Sequence, residues 1–125
     1  MAEALFSTDL LHLQAKIEEV TRRDIAPRAA AVDEHYEWPV HSMNALAAAG
    51  LMGLVVPKRV GGHGEGLLAL AMATEIIGRA CASSALCFGM HCVGAAVIAA
   101  KATAQQESQY LRGRFRIAQH ANKWG

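Results

Sequence analysis

Leu10, Leu13, Ile17 and Val20 recur at steps of three and four, and Lys16, Glu18, Glu19, Arg22 and Arg23 fill the other face. This period predicts an amphipathic helix, with Ser7, Thr8 and Asp9 offering an N-cap. Pro27 lacks an amide proton and is expected to end or kink that helix. An Ala-rich turn over residues 29–32 can carry on beyond it. Pro39 suits the first turn of a second helix that turns Val40, Met43, Leu46 and Ala47 inward. Gly50 is a natural residue just past its end. The stretch "LMGLVVP" is too short and too Gly-interrupted for a helix, and reads as an extended segment closing over apolar neighbours. Residues 67–79 read as a third helix, with Glu75 and Arg79 paired at i and i+4. Ala82, Ser83 and Ser84 mark a break and a new cap. The fourth helix then runs to Ala100, apolar nearly all round and therefore expected at the centre of the bundle. Thr103 and Gln106 fit a capping box for a fifth helix reaching Tyr110 and Leu111. No alternating strand pattern and no repeat of fixed period occurs. The expected fold is all-α, an up-and-down bundle of four to five helices.

Composition agrees. Hydrophobic residues are 53% of the 125 and aromatics 6%, which favours helix on helix over a β-sandwich. Twelve Lys and Arg against eleven Asp and Glu leave a formal charge of +1. That balance gives no electrostatic reason to expect nucleic acid or an anionic membrane as partner. Three cysteines, Cys81, Cys87 and Cys92, lie in one apolar stretch. An odd count argues against a disulfide framework and for a reducing, cytoplasmic setting. "MAEALFSTD" shows no secretory signal. Residues 81–100 carry no Asp, Glu, Lys or Arg and approach bilayer length. Their Ser, His, Cys, Ala and Gly content is weakly hydrophobic on an insertion scale, so a buried soluble helix is expected rather than a membrane span.

Candidate chemistry is sparse. "VVPKRVGGHGEGLLAL", residues 55–70, crowds Gly61, Gly62, Gly64 and Gly66 into one loop. They form neither G-x-x-x-x-G-K-[ST] nor G-x-G-x-x-G, and no strand precedes them. The loop reads as a mobile joint that allows positive φ. Cys87 and His91 share a helix face beside Cys92, but a structural zinc site needs four ligands and no C-x-x-C pair exists, so no metal is expected. His91 reads as a packed or hydrogen-bonded interior histidine. Glu18 and Glu19 sit on a solvated face, Glu65 in the loop, and Glu75 has its own partner, so no catalytic carboxylate pair is visible. A haem or metal bundle is disfavoured for lack of spaced ligands.

The ordered set of segments carries a resemblance. "RRDIAPRAAAVDEHYEWP" is followed by "LAAAGLMGLVVPKRVGGHGEG", then "LALAMATEIIGRACASSAL", "FGMHCVGAAVIAA" and "TAQQESQYL". Together, over residues 10–111, this resembles the N-terminal helical domain of the acyl-CoA dehydrogenases. The resemblance implies a flavoprotein that removes two hydrogens from a fatty acyl-CoA: a glutamate takes the α-proton and FAD accepts hydride from the β-carbon. It implies that the glycine loop joins helices and is not the main flavin anchor. It also implies that the long apolar helix gives one wall of the acyl cavity, through Leu86, Gly89, Met90 and Val93, while no catalytic residue lies in this domain.

After Leu111 the chain reads "RGRFRIAQHANKWG", basic and acid-free, where the family continues into a flavin-binding β-domain and a second helical domain that carries the base. The chain therefore divides into residues 1–111, the helical domain, and 112–125, a departing tail. A frameshift or splice change near Arg112 is one expected origin. On this reading the chain alone neither holds FAD nor dehydrogenates acyl-CoA. Two other readings stand beside it. Some flavin monooxygenases and nitroalkane oxidases share the architecture. A non-enzymatic helical interaction module would instead associate, with a copy of itself or a longer relative, through its exposed apolar face.

Overall fold

In the computed structural model, residues 6–112 are described; the basic segment 113–125 falls outside them. Helix α1, Thr8–Val20, starts where Ser7 Oγ accepts a hydrogen bond from the Leu10 amide at 3.2 Å. Thr8 and Asp9 are already helical. Leu10, Leu13, Ile17 and Val20 are all buried, as their spacing requires.

Pro27 does not stop the chain. A π-type turn over Thr21–Ile25, closed by the Ala26 amide on the Thr21 carbonyl, comes first. Pro27 then falls in a 3-10 turn, Ala26–Arg28, where its missing N–H opposes no α-helical acceptor. Helix α2, Ala29–Glu34, follows. It ends in a Schellman arrangement, with the Glu37 amide on the Val32 carbonyl at 3.1 Å and Tyr36 at φ +54°.

Helix α3, Val40–Ala48, buries Ser42 and Leu46 and half-buries Met43 and Ala47. Val40, expected inward, is exposed. Position 42 takes the core face, because the buried Ser42 hydroxyl has a partner in Ser84. Gly50, at φ +75°, is the left-handed residue past the helix end. The segment expected to be extended instead coils: Leu51–Gly53 is a 3-10 turn closed by the Leu54 amide on the Leu51 carbonyl, 3.1 Å. Coiling places Leu51, Leu54 and Val56 in the core, which a straight strand would present on alternating sides.

Helices α4, Leu67–Ala80, and α5, Ala82–Lys101, form an antiparallel hairpin hinged on Cys81 alone, which is extended at φ −152°, ψ 106°. The two pack at ordinary contact near the hinge, where a Cβ built on Gly78 would lie 3.5 Å from the Ala85 Cβ. Ser83 and Ser84 lie inside α5 and do not cap it. Helix α6, Ala104–Gln106, begins with the expected capping box. Thr103 Oγ1 accepts from the Gln106 amide at 3.2 Å, and Gln106 Oε1 accepts from the Thr103 amide at 2.9 Å. A π-type turn, Glu107–Leu111, then drops Leu111 into a small cluster with Val56, Val60 and Ala95.

The main core joins α1, α3, α4 and α5 around Ile17, Leu46, Ile77 and Phe88, all fully buried. Each such side chain contributes about 1.5–3 kcal/mol by burial. The fold is an all-α up-and-down bundle, with no strand among the described residues.

Candidate functional site

Helix α5 is apolar on nearly every side, so its own sequence does not say which side is buried. The structure decides. Ser84, Phe88, Cys92 and Ala95 face the core. Leu86, Met90, Val93 and Val97, also at steps of three and four, stand 67, 61, 47 and 63% exposed. At ~100° per residue the two stripes lie on opposite sides of the helix. The expectation that α5 is central is corrected: it is an outer helix with one apolar face in solvent. By length and composition it is also the one helix among the described residues that could cross a membrane.

Two polar contacts set the roll of α5. Ser84 Oγ lies 2.8 Å from Ser42 Oγ on α3 and 3.1 Å from Cys81 Sγ. His91 Nε2 donates to the Met52 carbonyl at 2.8 Å; a carbonyl only accepts, so the proton sits on Nε2. His91 is hydrogen-bonded, one of the two roles expected of it, but half-buried rather than interior.

Of the four residues assigned to the acyl wall, Leu86, Met90 and Val93 share this exposed face. Gly89 does not. It stands about 60° around the helix, where an added Cβ would lie 3.3 Å from Thr74 Cγ2 on α4. The Thr74 hydroxyl donates to the Leu70 carbonyl of its own helix at 2.8 Å, leaving the methyl to face Gly89. Val97 extends the stripe and was not in the sequence-based set. Its spacing, four after Val93 and seven after Met90, was the available signal.

The glycine loop answers the phosphate question through its amides. Gly61 N donates to Lys58 O at 3.0 Å, Gly62 N to Pro57 O at 3.1 Å and His63 N to Gly53 O at 2.9 Å. Gly64 N donates to Val56 O at 2.8 Å and Glu65 N to Leu54 O at 3.0 Å. Five successive donors, the amides of residues 61–65, point inward and are spent within the protein, so these five do not cradle a phosphate. His63 Nε2 adds a bond to the Gly50 carbonyl at 2.8 Å. The loop is a laced clasp over residues 50–57 rather than a slack joint. It is tied to the far end of the domain by Arg59, whose Nη1 donates to Glu107 Oε2 at 2.6 Å. Arg112 adds a longer contact to Glu107 Oε1 at 3.3 Å. Hydrogen bonding from Arg59 holds the Glu107 carboxyl below the ordinary carboxylate range.

The three thiols are free. Burial pushes Cys92 up to about 12 and raises Cys87 as well. Metal ligation needs the thiolate, and among the described residues no group of three or more His, Cys, Asp or Glu side chains gathers to hold an ion. A depression between α1 and the glycine loop, lined by Asp9, His12, Leu13, Lys16, Lys58 and Glu65 among others, mixes both charge signs.

Comparison with known proteins points the same way as the ordered segments. The family model for the acyl-CoA dehydrogenase N-terminal domain matches residues 7–116. Cyclohex-1-ene-1-carbonyl-CoA dehydrogenase of Syntrophus aciditrophicus is 40% identical over 74 residues, covering 59% of this chain and 18% of its own length. The Geobacter metallireducens protein of the same name is 34% identical over 96 residues, 77% of this chain and 25% of its own. Mitochondrial isovaleryl-CoA dehydrogenase of Arabidopsis thaliana is 31% identical over 112 residues, 86% and 27%. The chain thus spans roughly a fifth to a quarter of these relatives.

Proposed function

This chain belongs to the acyl-CoA dehydrogenase family through its N-terminal domain, and we propose that the outward stripe of α5 is a wall for the acyl chain of a CoA thioester. One observation carries this. Four apolar side chains stand in line and exposed on a helix with no charged residue before Lys101. An acyl chain needs apolar surface and no unsatisfied polar group along its length. Leu86, Met90, Val93 and Val97 supply that surface, and Gly89 lets α4 close up beside it.

The chemistry of the whole protein is proposed as α,β-dehydrogenation of an acyl-CoA within fatty acid metabolism. FAD, when bound, supplies the hydride acceptor. The amides of residues 61–65 in the glycine loop are already bonded within the protein and are not free to hold the flavin pyrophosphate. No acid or base lies on the stripe to take an α-proton. The chain by itself is therefore expected to bind acyl groups without turning them over. The three free thiols suit a reducing cytoplasm. The apolar stripe also supports docking to another protein surface, including a second copy. Lipid is a poorer occupant, since the other face of α5 is held to protein through Ser84 and His91.

A pyrene-labelled acyl-CoA tests the reading. Its fluorescence is expected to change saturably on adding the chain, with competition by long-chain acyl-CoA but not by free CoA, and Val93→Asp is expected to abolish the change. Equal competition by free CoA would overturn it, as would dehydrogenation by the pure chain with an artificial electron acceptor.

A further inference from the structure

The outward stripe contains one sulfur atom. Met90 is 61% exposed, while Met72 is 9% exposed and Met43 and Met52 are half-buried. Met90 sits mid-stripe, four residues after Leu86, three before Val93 and seven before Val97. It is therefore the methionine, among the described residues, most open to a dissolved oxidant, and it stands where polarity matters most.

We propose that Met90 is a redox-sensitive modification site, and that its oxidation by a hydroperoxide switches off apolar binding by the α5 face. The inference rests on the reading of that face as an apolar binding wall. In the step, the thioether lone pair attacks the distal oxygen of the hydroperoxide. An S–O bond forms and the O–O bond breaks. Sulfur loses two electrons, and the hydroperoxide is reduced to an alcohol, or to water for hydrogen peroxide, with the proton passed to the departing oxygen. The product sulfoxide is a strong acceptor dipole in the middle of the stripe. An apolar ligand cannot hydrogen-bond it, so binding would bury it unsatisfied. Reduction of both sulfoxide epimers restores the thioether.

The neighbouring thiols are poor competitors. Cys81 and Cys92 are buried away from a dissolved oxidant, and burial raises the half-buried Cys87, which lowers the thiolate share through which a thiol is oxidised.

The 125-residue chain is treated with tert-butyl hydroperoxide. Each methionine is then quantified by peptide mass spectrometry, and binding of anilinonaphthalene sulfonate is followed in parallel. Met90 is expected to oxidise roughly tenfold faster than Met72, as exposure dictates. Dye binding should fall in step and return after treatment with both sulfoxide reductases. Met90→Leu should keep its dye binding through the same oxidation. Oxidation of Met90 no faster than Met43 and Met52 would overturn the proposal, as would full dye binding after complete Met90 oxidation. Leu86→Asp separates the two layers: dye binding unchanged in that variant would sink the wall reading itself, whatever the order of oxidation.

Discussion

His91 Nε2 donates to the Met52 carbonyl across 2.8 Å, and with it the middle of α5 is fastened to the turn that follows α3. Phe88, three residues earlier, is fully buried. Together they hold the exposed stripe outward. His91→Ala removes the donor and leaves the half-buried carbonyl short of a partner. It is expected to lower stability by about 1–2 kcal/mol, read as a drop in the urea midpoint. An unchanged midpoint would mean that the bond does not hold the helix.

Two glycines should respond in opposite directions. A Cβ on Gly62 would lie 2.0 Å from the Val56 carbonyl oxygen, a backbone atom that cannot give way without opening the clasp. Gly62→Ala is expected to cost about 2 kcal/mol or more. A Cβ on Gly94, inside α5, would meet nothing within 4 Å. Gly94→Ala is expected to gain about 0.5–1 kcal/mol from helix propensity alone. Thermal or urea unfolding of the pair checks both signs.

Cys92 makes stability fall in alkali. Burial raises its folded-state value from 9.0 to about 12. The stabilisation from keeping the thiol neutral is fully present below pH 9, the unfolded value, and is lost as pH rises toward about 12. Urea midpoints measured from pH 8 upward should fall, and Cys92→Ala should fall less steeply. The half-buried Cys87, shifted in the same direction, should react faster with a thiol reagent than the buried Cys92.

Glu107 acts at the other end of the scale. The Arg59 hydrogen bond depresses its folded-state value below 4.5. Its contribution is therefore present above the unfolded value and is lost as pH falls through the depressed one. Glu107→Gln should flatten the acid limb of the stability profile and leave the alkaline limb unchanged. Screening by solvent keeps the effect small, so the shape of the profile is the readout.

Local rules made much of this molecule legible. The spacing of Leu10, Leu13, Ile17 and Val20 fixed one buried face, because polar residues occupy the rest of that helix. Thr103 and Gln106 announced their own capping box, and Gly50 its left-handed turn. What stayed hidden depended on distant partners. Ser42 and Ser84 are 42 positions apart and His91 and Met52 are 39 apart, so no local window shows that these contacts decide which apolar face of α5 is buried. Val40 gave way to Ser42 for the same reason. The coiled 51–53 segment depends on the glycine loop, since the Gly53 carbonyl accepts from both Val56 and His63. The acyl-wall assignment came from resemblance. The structure adds that Leu86, Met90 and Val93 share one open face with Val97 and that Gly89 lies on the flank.

The most direct test of the α5 wall is to locate a photoreactive acyl-CoA. A diazirine at the end of the acyl chain is bound to the purified chain, irradiated, and the labelled peptides are mapped. Labels are expected on Leu86, Met90, Val93 and Val97, suppressed by excess acyl-CoA and not by free CoA. Labels confined to the depression between α1 and the glycine loop, or on α5 but unaffected by acyl-CoA, would contradict the account.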